Sequence, residues 1–297
     1  MMKKIAIIGV SVAIFILLCA YFGLSAYIAS SLTKVERIPI TENPRSFGIG
    51  YQDISFTSRL DNLVLKGWYL EGEQDRPTII MVHGREGNRA IGTPGILELA
   101  SRLVEKGFHV LMFDLRGHGE SEGTYLSAGY YERYDLLGAV DYARSRGASK
   151  IGVVGFSMGA ATSILAAAEE PGISAVVSDS SFADLTEIAN REVKKQTHLP
   201  AWFAPGYLLV LKVWYGIDLN SVRPVDAVGR IAPRTILFIH GQADNYFPST
   251  HANRLYEASN NASNQVWLVP DAGHIQSYKT APLEYLERIT TFFEQEL

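Results

Sequence analysis

The sequence predicts an α/β protein with a doubly wound, mostly parallel sheet of eight strands. Two observations support this prediction. Two β-rich stretches come first, and short apolar runs then alternate with helix-compatible segments along the rest of the chain. The later runs are apolar almost throughout, which is typical of strands covered on both faces. Right-handed crossovers place such successive strands side by side in parallel.

The predicted elements follow one another in a regular order. The strands are Ser55–Arg59, Leu63–Leu70, Thr78–His83, His109–Asp114, Ile151–Gly155, Ile173–Ser178, Thr235–His240 and Gln265–Val269. The helices are Ile96–Glu105, Tyr130–Arg146, Met158–Glu170, Thr250–Ala258 and Pro282–Glu296.

Composition excludes several classes of protein. With 47% hydrophobic and 20% charged residues, the 297-residue chain can bury a large core and is unlike a disordered protein. The net charge is -4 and no Lys/Arg-rich run is present, so nucleic acid is not an expected partner. A single cysteine, Cys19, excludes an intramolecular disulfide.

The N-terminus predicts a membrane segment. Lys3 and Lys4 precede an uncharged apolar stretch from Ile5 to Ala29 that is long enough to cross a bilayer as a helix. This stretch is longer than the apolar region of a typical signal peptide, so we expect a single-pass anchor in the cell membrane. Small residues at 29–31 leave signal cleavage and secretion as the alternative.

The charges on the two flanks of this segment predict opposite orientations in the membrane. Lys3 and Lys4 favour a cytoplasmic N-terminus, whereas Lys34, Arg37 and Arg45 favour the opposite orientation. Of the two, we expect the orientation that places the folded domain outside the cytoplasm.

These features divide the chain into parts. Residues 1–29 form the anchor or signal segment, and residues 30–49 are polar, contain two prolines and predict a juxtamembrane stalk. Residues 50–297 form the α/β domain. Segment 182–228 interrupts the alternation, is rich in aromatic residues and predicts a small helical cap inserted in that domain.

The strongest motif is G-x-S-x-G at Gly155–Gly159, where a predicted strand ends and a predicted helix begins. Pattern and context together match a nucleophile elbow, a sharp turn that presents a serine, here Ser157. The helix N-terminus behind Ser157 offers partial positive charge to a developing oxyanion, so we expect the Met158 amide to be one oxyanion donor.

A second loop, His83–Asn88, follows the first parallel strand, where folds with a nucleophile elbow place the second oxyanion donor. The Arg85 amide is the candidate donor. The alternative interpretation is that His83 and Gly84 only form a turn that ends the strand.

A serine nucleophile needs a general base, which a carboxylate holds in the correct tautomer. His274 is the candidate base because it follows the last predicted strand, at the sheet edge where ligand sites collect. Asp244 is the candidate acid, since it completes the order serine, acid, histidine. Asp179, after strand 173–178, is the rival acid, and Asp271 is interpreted as a turn residue.

Six further histidines compete with His274 for the role of base. His83, His118 and His240 each precede a glycine at the end of a predicted strand and are interpreted as loop-forming residues. The others begin a strand or lie in the cap and in a predicted helix, away from the strand ends.

Together these motifs resemble the α/β-hydrolase superfamily over nearly all of residues 50–297. His83–Asn88, the loop Asp114–Ser121 and the segment Asp244–Pro248 are similar to those of bacterial membrane-anchored serine hydrolases related to ABHD proteins and to the prolyl-oligopeptidase-like, serine aminopeptidase-type group. The resemblance implies the α/β-hydrolase fold, and a structural role for Arg116–Ser121 near the site.

The expected function is hydrolysis of an ester-like bond in a small or lipidic substrate through an acyl-enzyme, as in carboxylesterases. A serine aminopeptidase-like peptidase, a thioesterase and an acyltransferase use the same three residues and stay open as alternatives. The non-enzyme alternative is a catalytically silent binding protein of this fold, which would not need to retain all three catalytic residues. No cofactor or metal is expected, because neither a dinucleotide-binding fingerprint nor zinc-ligand spacing occurs.

The cap segment supplies candidate substrate-binding residues, namely Trp202, Phe203, Tyr207 and Trp214. Aromatic side chains of this kind line acyl pockets or contact a nearby membrane. The alternative is that they pack the cap onto the body of the domain.

Overall fold

In a computed structural model, which describes residues 2–297, the chain forms one eight-stranded sheet. The strands are β1 (Gln52–Thr57), β2 (Val64–Leu70), β3 (Thr78–Val82), β4 (His109–Phe113), β5 (Ile151–Phe156), β6 (Ala175–Asp179), β7 (Thr235–Gly241) and β8 (Gln265–Val269). Their order in the sheet is β1-β2-β4-β3-β5-β6-β7-β8.

Strands β1, β2 and β4 pair antiparallel in succession, and β4, β3, β5, β6, β7 and β8 pair parallel. Every residue of β3, β5, β6 and β7 is buried, as the nearly continuous apolar runs predict for central strands covered on both faces. The predicted fold class, a mostly parallel eight-stranded sheet with helices, is confirmed.

Five helices correspond to the five predicted segments and one to the predicted anchor, three lie in the cap segment 182–228, and one, Ser277–Thr280, was not predicted. The helices are α1 (Met2–Thr33), α2 (Ile96–Glu105), α3 (Glu132–Ser145), α4 (Met158–Glu169), α5 (Leu185–Thr197), α6 (Ala204–Tyr215), α7 (Pro224–Ala227), α8 (Thr250–Ser259), α9 (Ser277–Thr280) and α10 (Pro282–Glu296).

The chain divides into two compact units whose bounds differ from the predicted domains. One unit comprises residues 1–34 and 185–221, and the other comprises residues 35–184 and 222–297. The second unit contains the whole sheet. We call it the sheet unit, and the first the helical unit.

Helix α1 runs four residues beyond the predicted anchor, to Thr33. Residues 30–32 include no helix breaker, and the Thr33 hydroxyl donates a hydrogen bond to the carbonyl of Ala29 (3.0 Å). From Lys3 to Thr33 this helix is long and apolar enough to span a membrane.

Residues 35–49, predicted as part of a stalk, pack against the sheet unit instead. The guanidinium of Arg37 donates to the carbonyls of Gly119 (2.9 Å), Ser121 (2.7 Å) and Gly123 (2.8 Å). The Asn88 amide donates to the carbonyl of Ile38 (2.9 Å). The polar composition of this segment therefore serves hydrogen bonding to the domain rather than solvation of a free linker.

The turn between β5 and α4 packs against the end of β3, and this contact requires glycine. A β-carbon added at Gly159 would lie 2.2 Å from the carbonyl oxygen of Val82, and one at Gly155 would lie 2.4 Å from the carbonyl oxygen of Gly159. Both partners are backbone atoms, which cannot rotate out of the way.

We therefore expect Gly159→Ala to lower the free energy of unfolding by at least about 2 kcal/mol, since overpacking forces backbone shifts. Gly50→Ala is the matched control, because a β-carbon there meets nothing within 4 Å. We expect the control to change stability by less than about 0.5 kcal/mol. Urea unfolding of the two variants measures the difference, and equal midpoints would contradict the packing argument.

Candidate active site

Ser157 occupies the turn between β5 and α4 in a strained backbone conformation. Its φ is 54° and its ψ is -117°, values that a residue with a side chain rarely adopts. The Ser157 amide donates to the carbonyl of Asp179 on β6 (2.8 Å), which helps hold the turn in place. This backbone geometry is that of a nucleophile elbow.

The structure brings the three predicted catalytic side chains together. Ser157 Oγ lies 2.8 Å from Nε2 of His274, and Nδ1 of the same ring lies 2.7 Å from Oδ2 of Asp244. The residues follow the carboxyl ends of three parallel strands, β5, β7 and β8, where open α/β sheets place ligand sites. Serine, imidazole and carboxylate thus form one continuous hydrogen-bonded chain.

Asp244 is held from several sides. Its Oδ1 accepts hydrogen bonds from the amides of Tyr246 and Phe247, both at 2.8 Å. Burial acts to raise the pKa of this carboxyl, but hydrogen bonds from His240 and His274 outweigh burial and hold the pKa well below its usual range. Asp244 is therefore a carboxylate, able to orient His274 and to stabilise a positive charge on it.

His240 is a contact of Asp244 that the sequence interpretation missed. Its Nε2 lies 2.7 Å from the carbonyl oxygen of Phe247 and 3.3 Å from Oδ2 of Asp244. Both partners accept hydrogen bonds, so Nε2 carries the hydrogen. The position of His240 at the end of β7, four residues before Asp244, is the sequence feature that could have predicted this contact.

The rival acids lie in other surroundings. Asp179 is fully buried, and its carboxylate accepts hydrogen bonds from the hydroxyls of Ser180 (2.9 Å), Ser277 (3.2 Å) and Tyr285 (3.1 Å). Burial is the main cause that raises its pKa. Asp271 is exposed in a turn with φ of 59°.

One of the two candidate oxyanion donors, Arg85, lines a cavity that opens at Ser157. Met158 is the first residue of α4, so its amide belongs to the positively polarised end of that helix. Arg85 and Gly84 line a cavity of about 250 Å³ together with Ser157 and His274. The assignment of Met158 and Arg85 as oxyanion donors stays a prediction.

Two histidines fix the backbone around Arg85. His83 accepts a hydrogen bond at Nε2 from the Leu115 amide (3.0 Å) and donates through Nδ1 to the carbonyl of Gly84 (2.7 Å). The His118 ring lies 2.7 Å, through Nε2, from the carbonyl of Arg85. The loop 114–121 thereby supports the loop His83–Asn88, which contains Arg85.

Buried ion pairs stabilise the loop 114–121 itself. Asp114 forms an ion pair with Arg89 (2.6 Å), and Arg116 forms one with Asp135 (2.7 Å). These four side chains are nearly inaccessible to solvent, so each charge depends on its partner. These ion pairs support the structural role that the resemblance implies for this loop.

The predicted cap residues lie in the helical unit. Phe203 and Tyr207 line an apolar cavity of about 360 Å³ there, and the Tyr207 hydroxyl donates to Asn190 (2.5 Å). Trp202 and Trp214 are largely exposed. A substrate-binding role for these four residues stays a prediction.

Within residues 2–297, no group of three His, Cys, Asp or Glu side chains is arranged to hold a metal ion.

His83 should make the stability of the protein depend on pH. Burial, with the neighbouring His118, lowers the pKa of His83 from 6.5 to about 3. A lowered pKa in the folded state means that the unfolded chain binds the proton first, so stability is full above about pH 6.5 and falls below it. At pH 5 this loss amounts to about 2 kcal/mol.

The measurement is urea unfolding at pH 7 and pH 5 of the wild type and of His83→Gln, whose side chain does not titrate. We expect the variant to lose less stability than the wild type between the two pH values. Equal losses in both proteins would show that His83 is not the responsible group.

Comparisons with known proteins agree with the fold. A family model for the alpha/beta hydrolase fold matches residues 77–219. The YfhR protein of Escherichia coli is 31% identical over 237 residues, which cover 76% of this chain and 74% of YfhR. Human protein ABHD12B is 28% identical over 203 residues, covering 66% of this chain and 53% of ABHD12B.

A solved structure is also similar. The esterase Pf2001 of Pyrococcus furiosus superposes with a TM-score of 0.74 at 26% sequence identity, and the alignment covers 89% of this chain and 98% of the esterase. The fold, the family model and the YfhR relative agree: the chain belongs to the α/β-hydrolase superfamily.

Proposed function

We propose that the protein is a serine hydrolase that cleaves an ester-like bond through an acyl-enzyme. The observation that carries this proposal is the hydrogen-bonded chain from Ser157 Oγ through His274 to Asp244, with distances of 2.8 Å and 2.7 Å. Serine alone is a weak nucleophile, and an adjacent imidazole oriented by a carboxylate is the arrangement that activates it.

The proposed reaction has two halves. Ser157 Oγ attacks the carbonyl carbon while His274 Nε2 takes the hydroxyl proton, and the same ring then gives this proton to the departing alcohol as the carbon–oxygen bond breaks. Water next attacks the acyl-enzyme and passes a proton to His274, which returns it to Ser157 as the acid leaves. The Met158 and Arg85 amides bind the oxyanion in both halves.

An ester is the favoured substrate class, with a carboxylesterase-like reaction. The similarity to the Pyrococcus furiosus esterase supports this choice, since its alignment spans most of both chains. The cavity at Ser157 is about 250 Å³ in volume and suits a small acyl group. A small or lipidic ester is therefore the substrate we propose.

We further propose that α1 anchors the enzyme in the cell membrane as a single span, with the sheet unit outside the cytoplasm. The length and apolar composition of Lys3–Thr33 support the anchor. Residues 3–20 of α1 are exposed on every side of the helix, as a segment surrounded by lipid would be.

A fluorophosphonate probe tests the nucleophile. We expect it to label the wild type and not Ser157→Ala, whose turnover of p-nitrophenyl esters should fall by roughly three to six orders of magnitude. Ser263→Ala is the control, because Ser263 is exposed and away from the three catalytic side chains. A Ser157→Ala protein with near-full activity would exclude the proposal, and parallel thioester and aminoacyl amide substrates identify the preferred bond.

His240 should act as a positioning residue, since it touches Asp244 rather than substrate. We expect His240→Leu to lower kcat by about 10- to 100-fold with little change in KM, the loss for one hydrogen bond to a charged group. His240→Gln can place an amide N–H where Nε2 lies, and we expect it to recover most of kcat.

The pair of His240 variants separates positioning from packing. If both variants lose the same activity, the hydrogen bond to Asp244 is not what His240 contributes. Unfolding midpoints measured in parallel show whether each protein is folded at the assay temperature.

A further inference from the structure

The helical unit carries an apolar surface on the outer side of α6. We define the cap apolar face as Trp202, Pro205, Leu209, Val213 and Trp214. Its large side chains are strongly exposed: Trp202 by 65%, Leu209 by 49%, Val213 by 68% and Trp214 by 68%. Single exposed apolar residues are common, but several of them within residues 202–214, with two tryptophans, mark an interaction surface.

The spacing of these residues makes the surface a stripe. Pro205, Leu209 and Val213 follow one another at intervals of four and therefore lie along one side of α6. Lys212 borders the stripe, and its ammonium is paired with Asp218 (2.7 Å). A long cationic side chain beside an apolar stripe with tryptophan is the pattern of helices that lie at a membrane surface.

The cap apolar face is continuous with the proposed membrane helix. Helix α6 packs directly on α1, because Gly206 leaves room for the Tyr21 ring and the Ser25 hydroxyl, which a β-carbon would approach to 2.6 and 2.3 Å. The Tyr21 ring stacks on Trp202 with 6.1 Å between ring centroids. Trp202 therefore stands at the level of Tyr21 on α1.

That level lies within about 6 Å of one boundary of the hydrocarbon. At 1.5 Å per residue, Tyr21 lies about 24 Å along the helix from Ile5, the first apolar residue, and the bilayer core is about 30 Å thick. Tyrosine and tryptophan are enriched at this boundary, where the ring is in lipid and its polar atom in water. The paired rings of Tyr21 and Trp202 fit this position.

Helix α5 adds positive charge to the same unit. Lys194, Lys195 and His198 are exposed and, with Arg191, surround a shallow recess. Arg191 is ion-paired with Glu192 (3.3 Å), so the lysines provide most of the excess charge. Basic residues near a membrane surface attract anionic phospholipid headgroups.

We propose that the cap apolar face lies in the membrane interface, in contact with the acyl chains and headgroups of a bilayer that contains anionic phospholipid. The proposal rests on the proposed anchoring by α1 and is independent of the hydrolase assignment. It makes α1 and α6 one membrane-binding surface, in which α1 spans the bilayer and α6 lies along its boundary.

Tryptophan fluorescence tests the proposal in the full chain. The protein has four tryptophans, and α1 contains none of them. Trp68 and Trp267 are buried in the sheet unit, with exposures of 2% and 8%. The chain is reconstituted in vesicles of phosphatidylcholine and phosphatidylglycerol, with or without bromine atoms on the acyl chains, which quench tryptophans in contact with lipid.

We expect bromination to quench roughly half of the wild-type emission, since two of the four tryptophans contact lipid. Bromine near the headgroups should quench more than bromine deep in the chains, because the face lies at the boundary. The double variant Trp202→Phe, Trp214→Phe keeps the apolar surface and should lose this quenching. Trp267→Phe is the matched control and should keep it.

Two results would overturn the proposal. One is wild-type emission that bromination does not change, and the other is equal quenching of the wild type and the double variant. Val213→Glu tests a second copy of the chain as the occupant: if it converts a dimer into a monomer while bromination leaves the wild type unquenched, the face is a dimer contact.

Alkaline carbonate extraction separates this proposal from the anchor on which it rests. If carbonate releases the full chain from vesicles, the anchor proposal fails and the cap proposal fails with it. If the chain resists extraction and its tryptophans are not quenched, only the cap proposal fails. Ester hydrolysis, measured on the same samples, reports the proposed function independently.

Discussion

The contact between the β5–α4 turn and the end of β3 is the constraint on which the site depends. At Gly155 and Gly159 the backbone runs so close to its neighbours that no side chain fits. Between these two glycines, Ser157 has a strained backbone conformation. The packing around the turn keeps Ser157 in this conformation, beside the cavity that it lines.

The remaining parts of the site are held around this turn by hydrogen bonds and by packing of Tyr246 and Phe247 on the His274 ring. Asp244 is fixed by two backbone amides and one histidine before it reaches His274. Its carboxylate is removed from solvent, which strengthens each of these bonds. The buried carboxylate of Asp244 accepts a hydrogen bond from Nδ1 of His274. The arrangement therefore favours the tautomer of His274 that carries its hydrogen on Nδ1.

Much of the fold could be predicted from sequence because the central strands are apolar throughout and the helices have apolar stripes. Ser157, Asp244 and His274 could be grouped because each follows a different strand of a parallel sheet. The contact of His240 with Asp244 could not be predicted, since it depends on the path of the loop to Phe247. The hydrogen bonds of Arg37 could not be predicted either, because its partners are backbone carbonyls, and no pattern of side chains in the sequence indicates these.

Asp179 links the elbow to the end of the chain in two ways. Its carbonyl accepts the Ser157 amide, while its carboxylate accepts the hydroxyls of Ser277 and Tyr285 from α9 and α10. Loss of the Tyr285 hydroxyl would leave the buried Oδ2 without this hydrogen bond, at a cost of about 1–3 kcal/mol. We therefore expect relatives that replace Asp179 to have exchanged Tyr285 as well.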